Sequence, residues 1–299
     1  MSRNVSMNAA PAVQGIGLMV AAVLFFSFID AITKYLSAFT PVLFILWGRY
    51  LFQNLFVVVL LVRAGSFGFL RTKRLGLQAV RAGLNIATNF FFVFGLLGLP
   101  LADAVALYMV GPLFMTALSA PLLRERVGMR RWIAVGVGFI GALIIVRPGM
   151  GDAFNWASLL MLLAALMNAF FQVVTRKLSD TERPLTLLSY LTFTGLIATS
   201  AVVPFYWINA PISTLALLAA QGVLSNAGNL CLIAALRQTP ASTLAPFNYG
   251  TIAFATIIGY FVFNQFPDQW TITGTLVIVG SGLYVFHREA INRRKQLAT

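Results

Sequence analysis

The stretch "LNIATNFFFVFGLLGLP" at residues 84–100 is echoed about 140 residues later by "LSNAGNLCLIAALRQTP" at residues 224–240. Leu84 falls on Leu224, Ala87 on Ala227, Asn89 on Asn229 and Pro100 on Pro240. Two further echoes keep the same order: "TKYLS" (33–37) with "TRKLS" (175–179), and "WIAVG" (132–136) with "WTITG" (270–274) after a two-residue deletion. The chain reads as two related halves. The number of membrane crossings in each half then decides the fold, because an odd number makes the second copy enter from the opposite side.

Of the 299 residues, 59% are hydrophobic and 10% charged, and the mean hydropathy is +0.86. These values exclude a water-soluble domain. A bilayer core about 30 Å thick is crossed by about 20 apolar residues at ~1.5 Å per residue. Ten runs have that length: 14–36, 42–62, 78–98, 101–122, 130–147, 155–175, 185–206, 212–235, 241–263 and 269–287. None shows the short alternating segments of a β-barrel, so the fold class is all-α, integral to the membrane. The first run is too long for a signal peptide and no small-residue cleavage site follows it, so it is expected to remain as a helix.

The 21 Lys and Arg residues sort by connection. Arg3, then Arg63, Arg71, Lys73, Arg74 and Arg81, then Arg124, Arg126, Arg130 and Arg131, then Arg176, Lys177 and Arg183, then Arg237, and last Arg288, Arg293, Arg294 and Lys295 fall at the termini and alternate connections. By the positive-inside rule that face is cytoplasmic, with both termini on it and an even number of spans. The expected location is the inner membrane of a bacterium. The net charge of +13 is thus accounted for by topology, and no nucleic-acid partner is expected. Cys231 and His287 are the only residues of their kinds, which leaves no disulfide framework, no His/Cys metal site and no cofactor expected.

Ten spans in two halves give five each, so the halves, 13–149 and 155–288, are expected to be inverted repeats related by an axis in the membrane plane. Secondary transporters use that architecture because two mirror-related arrangements supply two access states. The segment "LPLADAVALYMVGPLFMTALSAPLLRERVGMRRWIAVGVGFIGALIIVRP" (99–148) and its counterpart "TPASTLAPFNYGTIAFATIIGYFVFNQFPDQWTITGTLVIVGSGLYVFHR" (239–288) resemble the repeat ends of EamA-type proteins in the drug/metabolite transporter superfamily. Glu125, a basic connection, Trp132 and a glycine-rich helix carry the likeness, and Gln265 replaces Glu125 in the second copy. The resemblance implies movement of small metabolites, amino acids among them, usually outward. Within it, the chain resembles aromatic amino-acid exporters of the YddG type.

Buried polar groups mark where a pathway would run, since each costs several kcal/mol in lipid unless paired. Asn85 and Asn89 share a face of the third span, and Ser225 and Asn229 repeat that face on the eighth. They are read as lining one midplane cavity, against the alternative that they join helices by hydrogen bonds. Pro112 after Gly111, and Pro246 before Asn248 and Tyr249, are expected to kink the fourth and ninth spans and free backbone carbonyls beside Tyr108, Asn248 and Tyr249. Trp132, Trp156, Trp207 and Trp270 lie at span ends as an interfacial belt requires. Trp47 lies deeper, with Tyr190 as its equivalent, and both are assigned to the cavity.

In "SFIDAITKYLS" (27–37), Asp30 and Lys34 stand one turn apart in an apolar run, and Arg49 reaches a similar depth on the second span. Lys34 is close enough to a helix end to snorkel, and Arg176 occupies its place in the second half. Asp30 and Arg49 have no charged counterparts. They are the candidates for a pair serving gating, proton coupling or recognition of a zwitterion, with Lys34 beside them. A membrane-embedded aspartyl enzyme using Asp30 and Asp103 is the contrasting class; Lys34 and Arg49 argue against it, because they oppose the shared proton such a dyad needs. A passive channel would need rings of charge or a carbonyl filter, which are not found. The expected partners are a small-molecule substrate and lipid, with a monomer expected and a homodimer left open by "GVGFIG" (136–141).

Overall fold

The computed structural model describes residues 9–64, 72, 74–123, 128–147, 155–179, 181–182, 184–239 and 241–297. Arg3, Arg71, Lys73, Arg124, Glu125, Arg126 and Arg183 lie outside the described residues. Among the described residues, ten helices are long and apolar enough to cross a membrane. In order they are α1 (Ala9–Ser37), α2 (Val42–Ala64), α3 (Leu75–Leu97), α4 with α5 (Leu101–Tyr108, Gly111–Leu123), α6 (Met129–Val146), α7 (Trp156–Ser179), α8 (Pro184–Val202), α9 (Ile212–Gln238), α10 with α11 (Ala241–Asn248, Gly250–Phe263) and α12 (Gln269–Leu297). A 3-10 turn, Val203–Tyr206, extends α8.

Two spans are broken, each at one place. Pro112 cannot donate to the Tyr108 carbonyl and its ring crowds that carbonyl, so α4 ends at Tyr108 and α5 starts at Gly111. Across the gap the bonds tighten to Val110 N to Leu107 O, 3.2 Å, and Leu113 N to Val110 O, 2.9 Å. In the second half the break falls at Tyr249, after Pro246, with Tyr249 N donating to Pro246 O at 3.3 Å. The proline precedes one break and follows the other, yet Met109 and Tyr249 are the same position in the repeat.

Across the halves, α1 packs on α9 and α3 on α7, while α2 meets α8, α4 meets α11 and α6 meets α12. Exchanging the first half for the second maps this pairing onto itself. The α6–α12 contact depends on glycine: a Cβ on Gly141 would stand 2.8 Å from Gly274 O, and one on Gly274 would stand 2.5 Å from Gly141 O. Gly138 and Gly141 are therefore spent inside the bundle, and of the three glycines in the "GVGFIG" segment only Gly136 faces open space. At the centre, α4 is enclosed on all sides, with Leu101, Ala104, Val105, Ala106 and Leu107 at most 1% exposed.

We call the end that carries the α1 start and the α2–α3 connection the basic end. Arg81, counted above with a connection, instead lies buried within α3, 5% exposed. At the far end Arg147 caps α6 in the left-handed region, φ 49°, and forms an ion pair with Asp268, which caps α12 through Thr271 N at 2.8 Å. Burial raises the Asp268 carboxyl, but the Thr271 amide and the Arg147 guanidinium outweigh it and hold the group below its ordinary value.

Candidate substrate site

Two adjacent residues of α2 and two residues one turn apart on α3 build the polar centre. Arg49 donates from Nη2 to Asn89 Oδ1, and Tyr50 OH donates to Asn85 Oδ1 at 3.0 Å. Asn89 Nδ2 in turn reaches Asn85 O at 2.8 Å, Asn85 Oδ1 at 3.0 Å and Tyr50 OH at 3.2 Å. The guanidinium stands 5.6 Å from the Tyr50 ring centroid. Gly195 of α8 gives that ring its seat, because a Cβ there would lie 2.5 Å from it. The hydrogen-bond and ring partners of Arg49 among the described residues are thus neutral.

The negative group faces this centre from α1. Asp30 interacts electrostatically with Arg49, and Tyr108 of α4 interacts with both. Asp30 and Arg49 form no ion pair, and Asp30 makes no hydrogen bond within the described residues. The expected pair is therefore open: the carboxyl and the guanidinium interact without forming an ion pair, while the guanidinium is tied to an amide. Phe92 of α3 stacks edge-on to Tyr108, centroids 5.0 Å apart.

Other candidate residues lie elsewhere. Lys34 donates to Leu99 O and, at 3.3 Å, to Leu96 O, with the Phe263 ring 5.8 Å away. It caps the orphan carbonyls at the C-terminus of α3, as cations at helix ends do. Trp47 donates to Ser200 Oγ at 3.0 Å and packs on Phe44 and Trp207 in a separate cleft of about 380 Å³ at the α2–α9 surface. Two residues on a helix are about 200° apart, so Trp47 and Arg49 point to opposite sides of α2. Asn229 bonds Ser225 O of its own helix at 2.7 Å, Ser225 is buried and Tyr190 is half-buried on α8. Pro246 and Asn248 are exposed, while Tyr249 is buried with its hydroxyl against Gly282 of α12. The two amide stripes do not share a hydrogen bond.

Asp103 interacts with Thr271, Asp268, Arg147 and Lys34, a cluster distinct from that of Asp30. The two carboxyls that an aspartyl enzyme would need belong to different groups. One participant, Tyr50, was not singled out by sequence reasoning, and it had no signal beyond adjacency to Arg49. Arg81, counted with a connection, stands four residues before Asn85 and so on the same helix face.

A polar centre with opposed, unpaired charges inside ten apolar helices is the arrangement of a membrane carrier. The chain belongs to the EamA-like transporter family of the drug/metabolite transporter superfamily; the family model matches residues 13–147 and again 155–286. Family membership places it among transporters rather than enzymes. It is 29% identical to an S-adenosylmethionine uptake transporter of Rickettsia conorii over 94% of this chain and 96% of that one. It is 29% identical to a riboflavin transporter of Vibrio cholerae, covering 95% and 96%, and 28% identical to the pseudopaline exporter CntI of Pseudomonas aeruginosa, covering 89% and 93%. A solved crystal structure 17% identical in sequence superposes with a TM-score of 0.64 over 91% of this chain and 94% of that one, a likeness of fold.

Proposed function

We propose that the chain is a secondary transporter of small metabolites that carry an amino-acid headgroup, amino acids with aromatic side chains included, and that it exports them. The observation that carries this reading is the open charge of the site: Arg49 is held by Asn89 with no ion pair to a carboxylate, and Asp30 of α1 interacts with it electrostatically. A substrate carboxylate would replace Asn89 as acceptor for Arg49, and its ammonium would meet Asp30. Charge-assisted bonds of this kind are about twice as strong as neutral ones. S-adenosylmethionine, named for one relative, carries such a headgroup; riboflavin, named for another, does not.

In this reading the halves 13–149 and 155–288 are inverted repeats that rock about the site. The self-mapping pairing of α1 with α9 and α3 with α7, and the equivalent breaks at Met109 and Tyr249, support it. The basic end faces the cytoplasm of a bacterial cell and the carrier works as a monomer.

The test is counterflow in liposomes holding purified protein, with labelled L-phenylalanine, S-adenosylmethionine and riboflavin. Trans-stimulated exchange of the first two, weakened at least tenfold by Arg49→Gln, supports the reading. Exchange of riboflavin alone, indifferent to Arg49, would replace it with a neutral-ring carrier, and leakage without trans-stimulation would indicate a channel. Efflux of preloaded label from cells fixes the direction.

A further inference from the structure

Two latches of one design join the halves, one toward each end. Toward the basic end, Arg81 Nε of α3 donates to Thr175 Oγ1 of α7 at 2.7 Å, and Thr175 donates to Phe171 O at 2.7 Å. Toward the far end, Gln221 Nε2 of α9 donates to Thr33 Oγ1 of α1 at 2.8 Å, and Thr33 donates to Ile29 O at 2.8 Å. Arg81 and Gln221 each stand three residues before the echoed Leu84 and Leu224, and Thr33 and Thr175 head the echoed "TKYLS" and "TRKLS". Each latch also takes a backbone carbonyl: Arg81 Nη1 bonds Leu187 O of α8 at 2.8 Å, and Gln221 Nε2 lies 3.3 Å from Ile29 O.

A neutral amide closes one latch onto α1 alone, whereas the guanidinium reaches both α7 and α8. The threonine bond that the two latches share needs no charge, so the charge of Arg81 is a costly addition to it. A buried cation in a membrane is expensive unless paired, and no described acidic side chain pairs with Arg81. The Phe171 ring, 5.0 Å from the guanidinium, offsets only part of that cost.

A second asymmetry lies one turn away. Gln78 is 1% exposed and both of its amide atoms are buried without a partner, whereas its counterpart in the second half, Leu218, is core. Gln78, Arg81, Asn85 and Asn89 recur every three or four residues, so one face of α3 is polar from the basic end to the Arg49 site, about 16 Å along the axis. The matching stretch of α9 has no cation and begins with Leu218. Polarity beyond what the latch needs is thus confined to the basic end.

We infer that Arg81, with Gln78 beside it, is a second subsite for the substrate carboxylate, filled when the basic end opens and passing the anion to or from Arg49. This rests on the proposed amino-acid headgroup. The carboxylate would replace Thr175 and Leu187 O as acceptors, so that its arrival releases α3 from α7 and α8.

The test is Arg81→Gln, which copies the far latch, with Arg81→Lys as the charge-retaining control. Uptake of L-phenylalanine is measured in spheroplasts and in inverted membrane vesicles, an Asn209→Cys label reporting which end faces out, with L-phenylalaninamide as the probe lacking a carboxylate. Arg81→Gln is expected to fold, to raise the apparent KM for phenylalanine about tenfold from the basic end only, the size of one charge-assisted hydrogen bond, and to leave the amide unaffected. Arg81→Lys should recover most of the loss. Equal KM values in variant and parent at both ends, an equal rise at both ends, or an Arg81→Gln protein that does not fold would each overturn the inference. A parent protein that moves neither phenylalanine nor S-adenosylmethionine sinks the proposed function as well, and so separates the two failures.

Discussion

Asn89 decides what Arg49 is available for. As an amide it satisfies one guanidinium donor through Oδ1 without neutralising the charge, and its Nδ2 is spent on Asn85 and Tyr50. Asn89→Asp is nearly isosteric and would give Arg49 a permanent carboxylate. If the site serves a substrate carboxylate, that variant should bind phenylalanine at least tenfold more weakly, checked by binding, with thermal denaturation of the same preparation measuring the loss of the Nδ2 donor bonds. Unchanged binding would remove Arg49 from recognition. Asp30 is argued separately, since it stands unpaired opposite. Asp30→Asn should still exchange substrate but lose its response to an imposed pH gradient if the carboxyl carries a proton through the cycle; an intact response would leave it an ammonium contact.

At the scale of elements, the exposed far-end pair offers a pH test with a defined sign. The folded-state value of Asp268 lies below its ordinary 3.8, so the stabilisation is present above that value and is lost as pH falls through the lower, folded one. Asp268→Asn keeps an N-cap of equal quality and removes only the charge. The variant should be less stable than the parent at neutral pH by no more than about 1 kcal/mol, as befits an exposed pair. The difference should shrink in melts below pH 3.8 and vanish once pH falls below the folded-state value. Helix packing gives a larger effect. Gly141→Val would drive a side chain into the Gly274 carbonyl and should cost about 1–3 kcal/mol or more by forcing α6 from α12. A Cβ at Gly136 would meet nothing within 4 Å, and Gly136→Val should melt like the parent. Comparable losses in both would mean that Gly136 also packs, against a second copy.

For the whole molecule, orientation follows from the loops. A cysteine at Asn209, on the far side from the basic connections, should react with an impermeant maleimide in intact cells, and protection there would reverse the assignment. The ten crossings and the doubled family match were legible in the sequence because hydrophobic length and linear order are local quantities, and a bilayer turns them directly into helices. The polar stripe of Asn85 and Asn89 was legible for the same reason, as a period along one helix. Which way each helix turns was not. Most spans are apolar on every side, so nothing local says which face of α2 looks inward, and Trp47 and Arg49, two residues apart, were assigned to one cavity although they point to opposite sides. Arg81 read as a loop charge for a similar reason, because its acceptors lie 94 and 106 residues away on α7 and α8. The sequence alone determined the number of spans, their order and the residues that cannot rest in lipid. Only the packing of α1 on α9 and α3 on α7 decided which of those residues meet, because rotation about a helix axis is set by partners distant in the chain.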